Sequence, residues 1–135
     1  MFGFRFWLIF FLSSLPAFVF ATHNRAGEIT YRHLGAYRYE VTITTYTKAD
    51  SQADRPSLGI HWGDGTSDTI PRVNGAGSGD VIAPDLKKNV YLGTHIYPGP
   101  STYTLYFEDP NRNGGVINIP NSVNIPFYVS TTLIL

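Results

Sequence analysis

The chain has 135 residues, with ten Lys and Arg, ten Asp and Glu, and no cysteine. Balanced charge leaves no electrostatic footprint for nucleic acid or an anionic lipid surface, and the missing thiols exclude zinc-finger, iron–sulfur and thiol chemistry. Exported domains of this size often rely on disulfides, so this one has to be held by core packing alone.

Residues 1–21 have the three parts of a secretory signal peptide. Arg5 gives the positive charge, Phe6–Leu12 and Leu15–Phe20 the apolar run, and Ala21 the small residue at the cleavage point. A membrane anchor needs about 20 uncharged apolar residues; here the run after Arg5 is shorter and contains Ser13, Ser14 and Pro16. The expectation is a cleaved signal, export across the inner membrane to a secreted or outer-surface location, and membrane contact only during that passage. One domain then occupies residues 22–135.

From there the chain reads as all-β. Gly and Pro punctuate a sequence rich in Thr, Val, Ile, Tyr and Phe, the rhythm of a sandwich or barrel. Gly27–His33 reads as a first strand, joined through Leu34-Gly35 to the clearest one, Ala36–Thr47. There Tyr37, Tyr39, Val41, Ile43 and Thr45 fall on one face. Lys48–Arg55 is a polar loop. Leu58–Trp62 and Thr66–Ile70 flank Gly63-Asp64-Gly65, where Asp-Gly favours a tight hairpin with positive φ, and Pro71 blocks further ladder pairing. Asn74–Asp80, with three glycines, reads as a flexible loop. Asn89–Tyr97 and Thr102–Glu108 are strands around Pro98-Gly99-Pro100, Asp109–Gly115 is a turn, Val116–Ile119 a short strand, and Pro126–Leu135 contains the last. Phe127–Leu135 stays β-forming to the end without a polar tail, which suggests the front of a longer protein.

Two pieces carry a family resemblance. Ile60-His61-Trp62-Gly63-Asp64-Gly65-Thr66, followed by Thr94-His95-Ile96-Tyr97-Pro98-Gly99 and Thr102-Tyr103-Thr104-Leu105, resembles the PKD family in both order and separation. The resemblance implies an immunoglobulin-like, PKD-type β-sandwich of about eight strands. Trp62 would anchor its core, Gly63, Asp64 and Gly65 would set the hairpin register, and Tyr103 would alternate inward with Leu105. His95 and Tyr97, on one strand face, would tie the neighbouring loop. The segment Arg72–Lys88 is long for that family.

A broader resemblance rests on Ala21–Tyr31, Tyr39–Tyr46, Ala53-Asp54-Arg55-Pro56, the Trp62–Thr66 hairpin and Asp109–Asn113. Together these are similar to the mature start of large gliding-motility-associated and type IX-secreted surface proteins of the Bacteroidota. That implies a non-catalytic structural or adhesive module, with neighbouring domains, surface proteins or glycans as partners.

Catalytic motifs find little support. His23, His33, His61 and His95 are scattered, and Ala76-Gly77-Ser78-Gly79 lacks the first glycine of a nucleophile elbow. The same glycine loop lacks the ending of a phosphate cradle. The carboxylates Asp64, Asp68 and Glu108 are candidates for approach in the fold, without a cleft to tune them. Asp109, Asn111 and Asn113 match the first half of a calcium loop, with Gly114 for the sharp turn and Pro120 where a bidentate Glu should stand. Their second reading is a hairpin turn. If calcium binds, the alternative function is a calcium-dependent carbohydrate-binding module of a secreted hydrolase. A tyrosine-rich face (Tyr31, Tyr37, Tyr39, Tyr46) offers sugar or protein contacts, or else half-buried cross-strand pairs.

Overall fold

The computed structural model describes residues 23–135, so the signal peptide expected over 1–21 lies outside the described residues. Eight strands form two antiparallel four-stranded sheets. In chain order they are β1 (Asn24–Gly35), β2 (Arg38–Thr47), β3 (Ser57–His61), β4 (Ser67–Pro71), β5 (Asp80–Ala83), β6 (Leu86–Ile96), β7 (Thr102–Asp109) and β8 (Phe127–Ile134). One sheet runs β1-β2-β6-β5 and the other β4-β3-β7-β8. The molecule is a β-sandwich.

Alternation along the strands decides what lies between the layers. The inward row of β2 is Tyr39, Val41, Ile43, Thr45 and Thr47, and that of β6 is Lys87, Asn89, Tyr91, Gly93 and His95. Opposite them stand Leu58 and Ile60 from β3, Ile70 from β4, Tyr103, Leu105 and Phe107 from β7, and Phe127 and Leu133 from β8. Trp62, fully buried, sits among them. Gly93 is required where it is: a Cβ there would come within 2.5 Å of Ile70 Cγ2 and 3.4 Å of the Trp62 ring.

The strand count matches the expectation, but one strand changes place. Val116–Ile119 is a turn, closed by Ile119 N–H to Val116 O at 3.0 Å. Strand β7 already pairs with β3 and β8, so this segment has no neighbour to join. The eighth strand is instead β5, inside the long Arg72–Lys88 segment, where it pairs with β6 from Asp80↔Lys88 to Ala83↔Leu86. Strand β1 is longer than read from the sequence, and the β1–β2 turn is Ala36-Tyr37, with Ala36 at φ 48°. Tyr37 therefore leaves the inward row and is exposed.

The glycine loop read as flexible is tied down. Asn74 Nδ2 donates to Lys88 O at 2.9 Å and its Oδ1 accepts Val90 N–H at 2.8 Å. A one-turn 3-10 helix, Gly75–Gly77, follows.

Candidate functional site

The residues singled out by motif gather at one end of the sandwich. The β3–β4 connection is a five-residue loop, Trp62 to Thr66, closed by Trp62 N–H to Thr66 O at 3.0 Å. Positive φ falls on Gly63 (86°) and Gly65 (89°) on either side of Asp64. Gly63 has a second reason to be glycine, because a Cβ would lie 2.6–2.9 Å from the Thr104 backbone.

Asp64 turns inward. Its Oδ1 accepts the Thr66 N–H (3.0 Å) and hydroxyl (2.6 Å), and its Oδ2 accepts from His95 Nε2 at 2.7 Å. Burial alone would raise the Asp64 carboxyl, but the bonds from Thr66 and His95 hold it at about 2. The His95 ring lies flat on Trp62, 4.6 Å between centroids at 5°, and edge-on to Tyr97 at 4.7 Å. Trp62 Nε1 donates to Asp68 Oδ2 at 2.9 Å, and the Tyr97 hydroxyl donates to Trp62 O at 3.1 Å. Tyr103 packs on Tyr97 at 4.3 Å and donates to Gly99 O at 2.7 Å. Burial pushes the Tyr97 phenol up, and the nearby Asp64 charge adds to this. All seven motif residues thus meet in one cluster, which ties the β3–β4 loop to β4, to β6 and to the segment after β6.

Asp109, Asn111 and Asn113 lie at the other end. Asp109 Oδ1 accepts the Asn111 N–H at 2.8 Å, the bond of an Asx turn, and Oδ2 accepts from Arg55 Nε at 2.9 Å. Burial would raise this carboxyl, but Arg55 and Asn111 hold it below its ordinary value. Asn111 O accepts Asn24 N–H, and Asn113 N–H donates to Asn24 O, so this turn staples the start of β1. These residues do not fit a calcium cage: the one carboxylate already faces a guanidinium, and a metal would have to displace it. Glu108 lies on the exposed face of β7, and Asp64 is bound at the opposite end. Asp64, Asp68 and Glu108 are therefore not brought together as a catalytic group.

A polar knot that the motifs did not indicate fills the interior beside Asp109. Arg72 grips Asp54 with two bonds, Nη1 to Oδ1 at 2.8 Å and Nη2 to Oδ2 at 2.7 Å. The same guanidinium donates to Asn89 Oδ1 at 2.8 Å and to Gly77 O at 2.7 Å. Lys87 Nζ reaches Asp54 Oδ1 at 2.5 Å, and Asn89 Nδ2 donates to Thr47 Oγ1 at 3.0 Å. Arg72 is buried to 2% side-chain exposure and Lys87 to 9%, while Asp54 keeps 36%. The Arg72 guanidinium and Lys87 ammonium hold the Asp54 carboxyl far below its ordinary range. One arginine therefore joins the loop after β2, the glycine loop and β6. The signal for this knot lay in the inward rows, where Thr45, Thr47, Lys87 and Asn89 hold positions that alternation assigns to the core. Nearby, His23 Nδ1 is buried without a hydrogen-bond partner among the described residues, and burial lowers its pKa.

The tyrosines named for a binding face divide. Tyr39 is half-buried, edge-on to Tyr31 at 6.3 Å and to Tyr97 at 6.1 Å; Tyr46 is half-buried, and Tyr31 and Tyr37 are exposed. On the outer face of the second sheet His61, Tyr106 and Tyr128 stack in a row at 4.3 and 5.3 Å. Stacking covers both faces of Tyr106, which leaves its edge to solvent rather than a flat platform for a sugar. The longest connection, from β7 to β8, carries Ile117 fully exposed and Ile125 partly so. A shallow cleft of 310 Å³ lies in it, lined by Val116, Ile119 and Val123 among others. No protein-family model, curated protein or solved structure matches the chain.

Proposed function

We propose that the chain is a non-catalytic module of a secreted or cell-surface protein, an immunoglobulin-like, PKD-type sandwich leading a larger gliding-motility-associated or adhesin-like chain. It acts as a stiff spacer and presents its connecting loops to glycans, surface proteins or the next domain. The observation that carries this reading is the use made of the polar side chains. His95 and Asp64, Arg72 and Asp54, and Arg55 and Asp109 are each spent on one another; the first and third pairs fasten a loop to a strand, and the second joins two loops. Chemistry-bearing groups held this way resist deformation and are not free for proton transfer to a bound substrate. The β7–β8 loop, which exposes Ile117 and Ile125, is the feature best suited to contact, since ordered loops this long usually carry function.

The test is adhesion of the chain, displayed on beads, to immobilised glycans and cell-envelope proteins. Replacing Val116, Ile117 and Ile119 together by Ser is expected to abolish retention while lowering the melting temperature by only a few degrees, because Ile117 is exposed and Val116 and Ile119 are only half-buried. Unaltered retention by the triple variant, or turnover of an envelope polysaccharide, overturns the reading.

A further inference from the structure

The two sheets have four edge strands: β1, β5, β4 and β8. An edge strand offers unpaired N–H and C=O groups to any other chain, and proteins commonly guard such edges with charge, proline, a bulge or shortness. Three of these edges are guarded. Strand β1 carries Arg25, Glu28 and Arg32 and has register breaks near both ends. Strand β4 has five residues, including Asp68 and Pro71. Strand β5 has four residues and a register break, and is followed by Pro84.

Strand β8 has none of these guards. Phe127–Ile134 is eight residues long and pairs with β7 without a break in register. It contains no proline or charge, and residues 113–135 include no Asp, Glu, Lys, Arg or His at all. The side of its backbone that pairs with no strand among the described residues can be identified. Leu135 N–H donates to Ser101 O at 2.9 Å, so the odd positions turn toward β7. Tyr31 Oη donates to Thr132 O at 3.2 Å from the other side, so Tyr128, Ser130, Thr132 and Ile134 turn their backbone groups outward. The Tyr31 bond occupies one of these carbonyls, at an exposed site.

We infer that β8 pairs with β8 of a second copy of this chain, antiparallel across a two-fold axis, joining two four-stranded sheets into one of eight strands. This inference rests on the edge and not on the adhesive reading. Two features favour a second copy over a foreign strand. Across a two-fold axis a strand meets itself, so like charges near the axis face one another; among the four edges only β8 is free of that repulsion. A register centred on Thr131 also sets Tyr128 beside the second copy's Ile134. These side chains are 49% and 75% exposed in the single chain, and both lie on the outer face. Ser130 then faces the second copy's Thr132, a hydroxyl pair suited to cross-strand bonding.

Sedimentation of the purified chain from micromolar to millimolar concentration tests this. The expected species is a dimer of twice the chain mass. Ser130→Lys and Thr132→Pro, the latter removing an N–H that β7 does not use, should each weaken it at least about tenfold. Thr69→Lys, on the opposite edge of the same sheet, should leave it unchanged. Thr131→Cys, in a chain without other cysteine, should form a disulfide-linked dimer on mild oxidation, which keeps the test open if an edge variant misfolds. A monomer at every concentration, a dimer indifferent to the edge variants, equal weakening by Thr69→Lys, or no cross-link at 131 each overturns the proposal.

Discussion

The two ends of this sandwich are fastened by different chemistry, and the two inward rows of the β1-β2-β6-β5 sheet show where the change occurs. Passing from the β1–β2 turn toward the other end, β2 presents Tyr39, Val41, Ile43, Thr45 and Thr47, while its neighbour β6 presents His95, Gly93, Tyr91, Asn89 and Lys87. Apolar and aromatic groups give way to hydroxyl, amide and ammonium. At the aromatic end Trp62, His95, Tyr97 and Tyr103 stack, and Asp64 holds the hairpin loop to them. At the ionic end Asp54, Arg72 and Lys87 join two loops to β6 through charged hydrogen bonds. Ring burial is stabilising wherever the geometry is good, whereas a buried ion pair mainly punishes the loss of one partner. The two ends should therefore answer differently to substitution.

The largest effect is expected from Trp62→Ala. It empties the centre of the aromatic end, removes the surface on which His95 lies, and leaves Asp68 without its indole donor. A loss of about 3–5 kcal/mol is expected in urea unfolding. A loss below about 1 kcal/mol would show that the ring fills space without anchoring the core.

Next in size is Arg72→Met, which leaves Asp54 beside Lys87 alone and strands Asn89 Oδ1 and Gly77 O. About 3 kcal/mol should be lost, at the low end of the range for breaking a buried pair because Asp54 keeps 36% exposure. Replacing Asp54, Arg72, Lys87 and Asn89 together by Leu, Met, Met and Leu should return stability to within about 1 kcal/mol of the original chain. No set of apolar replacements for Trp62 is expected to do the same. Full recovery at one end and none at the other is the sharpest form of the comparison, and additive losses across the quadruple variant would erase it.

This contrast also explains how much could be read from the sequence. The aromatic end was legible because its parts are local or rigidly spaced: the Gly63-Asp64-Gly65 turn makes its own geometry, and His95 and Tyr97 share a face by period two. The sandwich followed from alternation, which is strong in β2 and β7. The ionic knot joins positions 54, 72, 87 and 89, and nothing local links a loop aspartate to an arginine 18 residues away. Strand β5 was missed because four residues between a glycine loop and Pro84 are too few for alternation to register. Val116–Ile119 was read as a strand from its composition, yet composition cannot supply a neighbouring strand to pair with.

A smaller effect separates the ends by pH. The Asp64 carboxyl sits at about 2 in the folded chain against an ordinary 3.8. A depressed carboxyl stabilises the fold above its unfolded value, and the contribution is lost as pH falls through the folded one. For a side chain 7% exposed the shift is worth about 2 kcal/mol, lost between about pH 4 and pH 2. Asp54 is depressed as well, so the original chain should lose stability in acid from both ends. Asp64→Asn should be less stable at neutral pH, with a shallower acid slope that reports the ionic end alone. Parallel slopes in the two proteins would mean that Asp64 contributes no proton linkage.

The smallest expected response is to calcium, and it follows from which groups already occupy the Asp109 carboxylate. Arg55 Nε holds one oxygen at 2.9 Å and the Asn111 amide holds the other at 2.8 Å, in a side chain only 3% exposed. A calcium ion needs six to eight oxygens and would first have to expel the guanidinium. Millimolar calcium should therefore move the melting temperature by less than about 1 °C, since a ligand stabilises only a fold that binds it. Arg55→Gln sharpens the test by freeing one carboxylate oxygen without emptying the loop. If calcium then stabilises the variant but not the original chain, Arg55 is the internal cation that closes this turn. If both respond, the carboxylate exchanges partners and the ionic end is a metal site after all.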